Sequence, residues 1–189
     1  MAKVYIFLAD GFEEIEALTV VDLLRRADIE IIMISMTGNM LVTGAHRITT
    51  VAEALFSNLD YSDADMLVLP GGMPGAKNLA EHPGLDALLK DFAAKKKKLA
   101  AICAAPGVLG TKGLLEGKKA TCYPGYEEAL QGATVMMEDV VVDSNFITSR
   151  GMGTATDFSL AIIRELKGSE EARKISKQIQ YRHYDDLLW

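Results

Sequence analysis

Four short apolar runs do most to limit how this chain can fold: Lys3-Val4-Tyr5-Ile6-Phe7-Leu8-Ala9, Glu30 to Met36, Met66-Leu67-Val68-Leu69, and Lys98-Leu99-Ala100-Ala101-Ile102, which stops at Cys103. Runs of this length with little polar alternation read as strands covered on both faces, as in a parallel sheet. Helical patterns lie between them. Asp10, with Glu13 three residues on, gives a capping-box-like start to a helix reaching about Ala27. A second helix is predicted from about Gly84 to Ala94. The βαβ opening and the continued alternation point to an α/β fold with a doubly wound sheet, whose sites gather outside the carboxyl ends of the strands.

The rest of the chain extends that frame. Asn39 to Thr50, with Gly38 and Gly44, predicts a small hairpin or an excursion at the sheet edge. Lys119 to Tyr123, Thr134 to Val142 and Phe146 to Ser149 read as strands, and Tyr126 to Leu130 as a short helical piece. Thr154 to Leu166 places Phe158, Ala161, Ile162 and Leu166 on one helical face, and a last helix runs from Ser169 to about Gln180. With 189 residues and no repeat, linker or low-complexity stretch, the expectation is a single domain over 1–189. A net charge of -6 argues against general attraction to nucleic acid, and the Lys95 to Lys98 block reads as a solvated corner. No run is long enough for a membrane span. The two cysteines have neither metal-ligand spacing nor scaffold density, so a reducing, cytoplasmic setting is expected, with no metal or cofactor.

Three loops should meet at the carboxyl edge: Asp10 to Glu16, Pro70-Gly71-Gly72, and the turn at Cys103. Cys103 sits where a buried strand enters a helix, with Pro106 in the first turn, where a missing N–H costs nothing. Amides at that helix start favour thiolate over thiol and are expected to lower the thiol pKa, making Cys103 a candidate nucleophile. Free cysteine is among the most buried residue types and usually behaves as a small hydrophobe. Thiol chemistry on a carbonyl also needs proton transfer and N–H groups aimed at an oxyanion. The backbone N–H groups of Gly72 and Ala104 are the natural donors, and Glu13, Glu14 and Glu16 are the available carboxyls. Glu16, flanked at helical spacing by Phe12 and Val20, reads either as a buried acid kept protonated by desolvation or as part of a solvated stripe with Thr19, Asp22 and Arg26. Glu13 and Glu14 read as cap and surface residues.

Gly11-Phe12-Glu13-Glu14-Ile15-Glu16, Leu69-Pro70-Gly71-Gly72 with Gly75-Ala76, Ala100-Ala101-Ile102-Cys103-Ala104-Ala105-Pro106 and Thr148-Ser149-Arg150-Gly151-Met152-Gly153-Thr154 resemble, in order and spacing, the DJ-1/PfpI family and its DJ-1/ThiJ branch. The resemblance implies a flavodoxin-like three-layer sandwich with a mostly parallel central sheet and a homodimer. It implies a reactive Cys103 with Glu16 as its protonated partner, and a pocket lined by Gly72, Ala104, Tyr123, Arg150 and Gly151. It further implies a glyoxalase or deglycase acting on methylglyoxal-type carbonyls, or an oxidation-sensing thiol or chaperone; some members carry an old thiamine-related label.

Departures from the pattern qualify these expectations. Tyr123 stands where DJ-1-like members often have histidine, Met152 replaces a proline, and Ala104 follows the cysteine where the peptidase branch has histidine, which argues against a peptidase. His46 matches an arginine that in the family can reach the partner subunit's pocket, with Arg47 beside it as a substitute. His183-Tyr184-Asp185 faintly resembles the His-x-Glu of glutamine amidotransferases but follows a helix. His82 reads as a surface turn, Cys122 as packing, and Trp189 as a cover for an apolar patch or part of an interface.

Overall fold

The computed structural model describes residues 2–181. Strands and helices follow as β1 (Lys3–Leu8), α1 (Glu14–Arg26), β2 (Glu30–Ser35), β3 (Leu41–Thr43), β4 (Thr49–Val51), β5 (Ala54–Leu55), β6 (Met66–Leu69), α2 (Gly75–Glu81), α3 (Pro83–Ala94), β7 (Lys98–Ile102), α4 (Pro106–Gly110), β8 (Lys119–Ala120), β9 (Thr134–Val135), β10 (Val140–Asp143), β11 (Phe146–Ser149), α5 (Ala155–Lys167) and α6 (Ser169–Gln178). Seven strands form one sheet in the order β10-β11-β7-β6-β1-β2-β5. All its pairings are parallel except β10 with β11.

Strand alternation divides the core between the two faces of this sheet. Val4, Ile6 and Leu8 of β1, with Met66, Val68, Ala100 and Ile102, pack against α1, α5 and α6 through Val20, Leu24, Phe158, Ile162 and Ile175. Tyr5 and Phe7, with Leu67, Leu69, Leu99 and Ala101, pack on the other side against Leu79, Leu85, Leu89 and Phe92 of α2 and α3. Each fully buried Val, Leu, Ile, Phe or Met side chain among these contributes roughly 1.5–3 kcal/mol. This makes three layers, and the central strands β6, β1 and β7 are buried on both faces, as their unbroken apolar runs require.

Several expectations need correction. Asp10 does not cap α1: Glu13 takes the N-cap position with no side-chain cap bond, while the Asp10 carboxylate accepts the Thr43 N–H at 2.9 Å. The chain thus spends Asp10 on holding the β3–β4 hairpin against the first loop. The strand expected over Thr134–Val142 is two pieces, β9 and β10, in different sheets, and the one expected from Lys119 to Tyr123 ends at Ala120. Helix α2 has no counterpart in the sequence reading; it buries only Gly75, Ala76 and Leu79, too few to show a period. The hairpin predicted between Asn39 and Thr50 is present as antiparallel β3 and β4. His183 and Trp189 lie outside the described residues. Among those described, no helix is long and apolar enough to cross a membrane.

Candidate active site

The carboxyl ends of β1, β6 and β7 bring the three loops together around Cys103. This residue follows the last residue of β7 and takes φ +65°, a left-handed conformation that side chains other than glycine seldom adopt and that costs on the order of 1–3 kcal/mol. Main-chain bonds fix it on both sides. The Cys103 N–H donates to the Ser149 carbonyl at 2.9 Å, and the Cys103 carbonyl accepts the Tyr123 N–H at 2.9 Å. The turn lifts the thiol out of strand alternation, leaving it partly exposed against the α1 side of the core.

Glu16 comes to the thiol from the first turns of α1. Its side chain is buried, with 1 % of the residue exposed, and Oε2 accepts the Gly71 N–H at 2.9 Å. The carboxyl also shares a hydrogen bond with the Cys103 thiol, while the N–H groups of Gly72 and Ala104 face the sulfur. The alternative solvated stripe does not form around Glu16, for Asp22 and Arg26 pair with each other at 2.6 Å. Gly71 is the spacer between acid and thiol. A Cβ there would lie 2.6 Å from Cys103 Cβ and 2.7 Å from Glu16 Oε2, so only glycine fits. Its carbonyl accepts the Glu13 N–H at 2.9 Å, which ties this loop to the start of α1.

Burial pushes the Glu16 carboxyl up to about 7, against the opposing pull of its bonds to Cys103 and Gly71; the charge of Glu13 adds to the rise. Burial, followed by the charge of an ionised Glu16, pushes the thiol up to about 12. This reverses the lowering expected from the turn's amides. Those of Gly72 and Ala104 do act downward, but α4 is a five-residue helix and its dipole is small beside the cost of placing two anions together. Acid and thiol therefore titrate as a pair, with one proton released near 7 and the second held to about 12. A thiolate exists at neutral pH only where Glu16 keeps the remaining proton.

The other residues expected at the site divide. Tyr123 is 48 % exposed, and its ring stands over Gly151: a Cβ on Gly151 would lie 3.1 Å from the ring and 4.0 Å from Glu16 Oε1. Arg150 is next to Gly151 in sequence, but its guanidinium donates to the Met137 carbonyl at 3.2 Å. Cys122 is buried in the opposite half of the core, and burial pushes it up to about 11. His82 caps α3 by accepting the Leu85 N–H at 3.1 Å.

Glu14 is not a surface residue, which corrects the sequence reading. It is 3 % exposed, and Oε1 accepts the N–H groups of His46 at 2.8 Å and Ile48 at 3.3 Å. Burial opposes its charge, yet these amides and the His46 ring hold the carboxyl below its usual range. His46 Nδ1 lies 3.1 Å from Glu14 and 3.4 Å from Glu13, and the pairing raises the imidazole above its ordinary value. His46 thus latches the β3–β4 hairpin to α1. Arg47 beside it is exposed at φ +68° in the hairpin turn. Glu13, Glu14 and His46 place one ligand atom each within 4.8 Å of one another, a donor set that suits a divalent cation as well as the ion pair. Sequence reasoning missed this cluster because only the hairpin, some thirty residues later, buries Glu14.

The model of the DJ-1/PfpI family matches residues 2–165. Protein DJ-1 homolog B of Arabidopsis thaliana is 39% identical over 182 residues, covering 95% of this chain and 42% of that protein; the chain spans less than half the length of that relative. The glutathione-independent glyoxalase DJR-1.2 of Caenorhabditis elegans is 32% identical over 88% of this chain and 89% of its own length. Among solved structures, oxidized Toxoplasma gondii DJ-1 superposes with a TM-score of 0.92 at 36% identity, covering 96% of this chain and 99% of that one.

Proposed function

The chain belongs to the DJ-1/PfpI family, and from that premise we propose that it converts small α-oxoaldehydes of the methylglyoxal type into hydroxy acids, with Cys103 as nucleophile and Glu16 as proton carrier. One observation carries the reading: a buried carboxyl shares a hydrogen bond with a partly exposed thiol whose sulfur faces two backbone N–H groups. The relative named a glutathione-independent glyoxalase is consistent with it.

The steps follow from the geometry. The Cys103 thiolate adds to the aldehyde carbon, forming a C–S bond, and the new alkoxide, set against the Gly72 and Ala104 amides, takes the Glu16 proton. Glu16, now a carboxylate, removes the proton from that carbon to give an enediolate and returns it to the neighbouring ketone carbon, while the hydroxyl proton passes from the first oxygen to the second, so the aldehyde carbon is oxidised and the ketone reduced within one molecule. The product is a thioester, and water cleaves it to the hydroxy acid while the sulfur leaves as thiolate. No external oxidant or cofactor enters. Cys103→Ser should abolish lactate formation from methylglyoxal, and Glu16→Gln should lower it by roughly 10²–10⁴-fold. Unchanged lactate formation in Cys103→Ser would reject the proposal.

A second reading has its own support. A partly exposed thiol beside hydrogen-bond donors is suited to oxidation to sulfinate, and the Toxoplasma protein is described as oxidized. On this reading the chain is a redox-responsive thiol sensor or chaperone with incidental turnover. Intact mass after graded peroxide decides: no adduct at Cys103 alongside normal turnover favours the enzyme. Either reading places the protein in a reducing cytoplasm that keeps both cysteines as thiols. The homodimer belongs to the proposal too. Ile15 of α1 and Ile48 of the hairpin turn are 51% and 55% exposed, and an apolar face of this kind suits a second copy of the chain.

A further inference from the structure

Exposed large apolar side chains fall mainly into two groups. Ile15, Leu41, Ile48 and Val51 lie on α1 and the hairpin; Met73, Tyr123, Tyr126 and Met152 lie on the loops around Cys103. Members of the second group follow the residues that define the site. Met73 comes directly after Gly72, whose amide faces the sulfur, and Met152 directly after Gly151. Tyr123 holds the Cys103 carbonyl through its own N–H, and its ring is braced edge-on by Tyr126, with centroids 6.2 Å apart at 77°.

We infer that this rim selects α-oxoaldehydes bearing an aryl or similarly large apolar substituent, and that Tyr123 is the residue that sets the preference. The inference rests on the reaction proposed above. With the aldehyde carbon bonded to Cys103 and its oxygen on the two amides, Glu16 must reach both that carbon and its neighbour. The neighbour therefore lies on the Glu16 side of the sulfur, and its substituent points past Gly151. Gly151 presents no side chain, and the Tyr123 ring and Glu16 Oε1 flank the point where its Cβ would stand. A methyl group leaves most of the tyrosine face in water. An aryl group covers it.

The test compares phenylglyoxal with methylglyoxal in the parent, Tyr123→Ala and Tyr123→Leu. The parent should favour phenylglyoxal by about tenfold in kcat/KM, a ratio that falls to within about twofold in Tyr123→Ala and to an intermediate value in Tyr123→Leu. A parent ratio near one, or a ratio unchanged in Tyr123→Ala, overturns the inference. Calorimetric titration of Cys103→Ser with mandelate and lactate, the corresponding product acids, separates this from the reaction itself. Tighter mandelate binding that is lost when Tyr123→Ala is added supports the rim even if neither aldehyde is turned over, in which case only the proposed reaction fails. Equal binding of the two acids overturns the rim whatever the turnover.

Discussion

Between pH 4.5 and about 7, Glu16 and Cys103 together hold up to one proton more than two independent groups would, and that has a thermodynamic signature. In the unfolded chain Glu16 releases its proton near the ordinary 4.5, whereas the folded pair keeps it to about 7. Between those values the native state binds more protons than the unfolded state, so stability falls as pH rises. The expected loss is on the order of 3 kcal/mol across that window. Glu16→Gln should remove it and be the more stable protein above pH 7, as read by denaturant unfolding at a series of pH values; parallel profiles for the two would contradict the assignment. Both residues were candidates in the sequence for local reasons, a strand run ending at a thiol and a carboxyl flanked by Phe12 and Val20 at helical spacing, but each kept a bland alternative and only the family resemblance paired them. The direction of the thiol shift was not legible there, because desolvation depends on what the fold stacks above the residue. Glu14 was misread for the same reason, its burial being the work of His46 and Ile48.

At the scale of elements, the site depends on three chain turns meeting at fixed distances, and Gly71 is the residue packed between the other two. Gly71→Ala would drive a methyl into Cys103 Cβ and Glu16 Oε2, so acid and thiol must separate. A shift of about 1 Å in such a pair costs on the order of 10²-fold, and that loss in kcat/KM is expected with the thiol still present and titratable. The parallel strands were readable because burial on both faces leaves a continuous apolar signature in β1, β6 and β7. Short exposed pieces carry no such mark. Both residues of β9 are exposed, so nothing in Thr134–Val142 showed that the chain leaves one sheet before joining another. Asp10 read as a cap because a side-chain oxygen near a helix start can satisfy any nearby N–H, and here the one it meets belongs to Thr43.

For the whole molecule, the sheet places the thiol at one end of the strands, while α1 links it to a second surface. Glu16 points inward from α1 and Ile15, its neighbour, points out. The His46–Glu14 latch fixes Ile48 beside that outward face. If a second copy covers it, Ile15→Glu combined with Ile48→Glu should convert a dimer to a monomer in light-scattering chromatography. An interface of ordinary size buries roughly 1,600 Å², and two charges at its centre remove its apolar core. A parent that is already monomeric at micromolar concentration, or a double variant that remains dimeric, would refute this use of the face.

The account turns on where the pair's remaining proton resides, and a pH titration of thiolate absorbance reads that directly, with Cys103→Ser as the blank. It predicts that Glu16 releases the first proton near 7 and the sulfur keeps the second, so that thiolate absorbance rises only towards about 12 and the reacting thiolate forms as Glu16 takes its proton. One thiolate per chain appearing with a midpoint near 7 would show that the sulfur ionises first and Glu16 stays neutral, which contradicts the account.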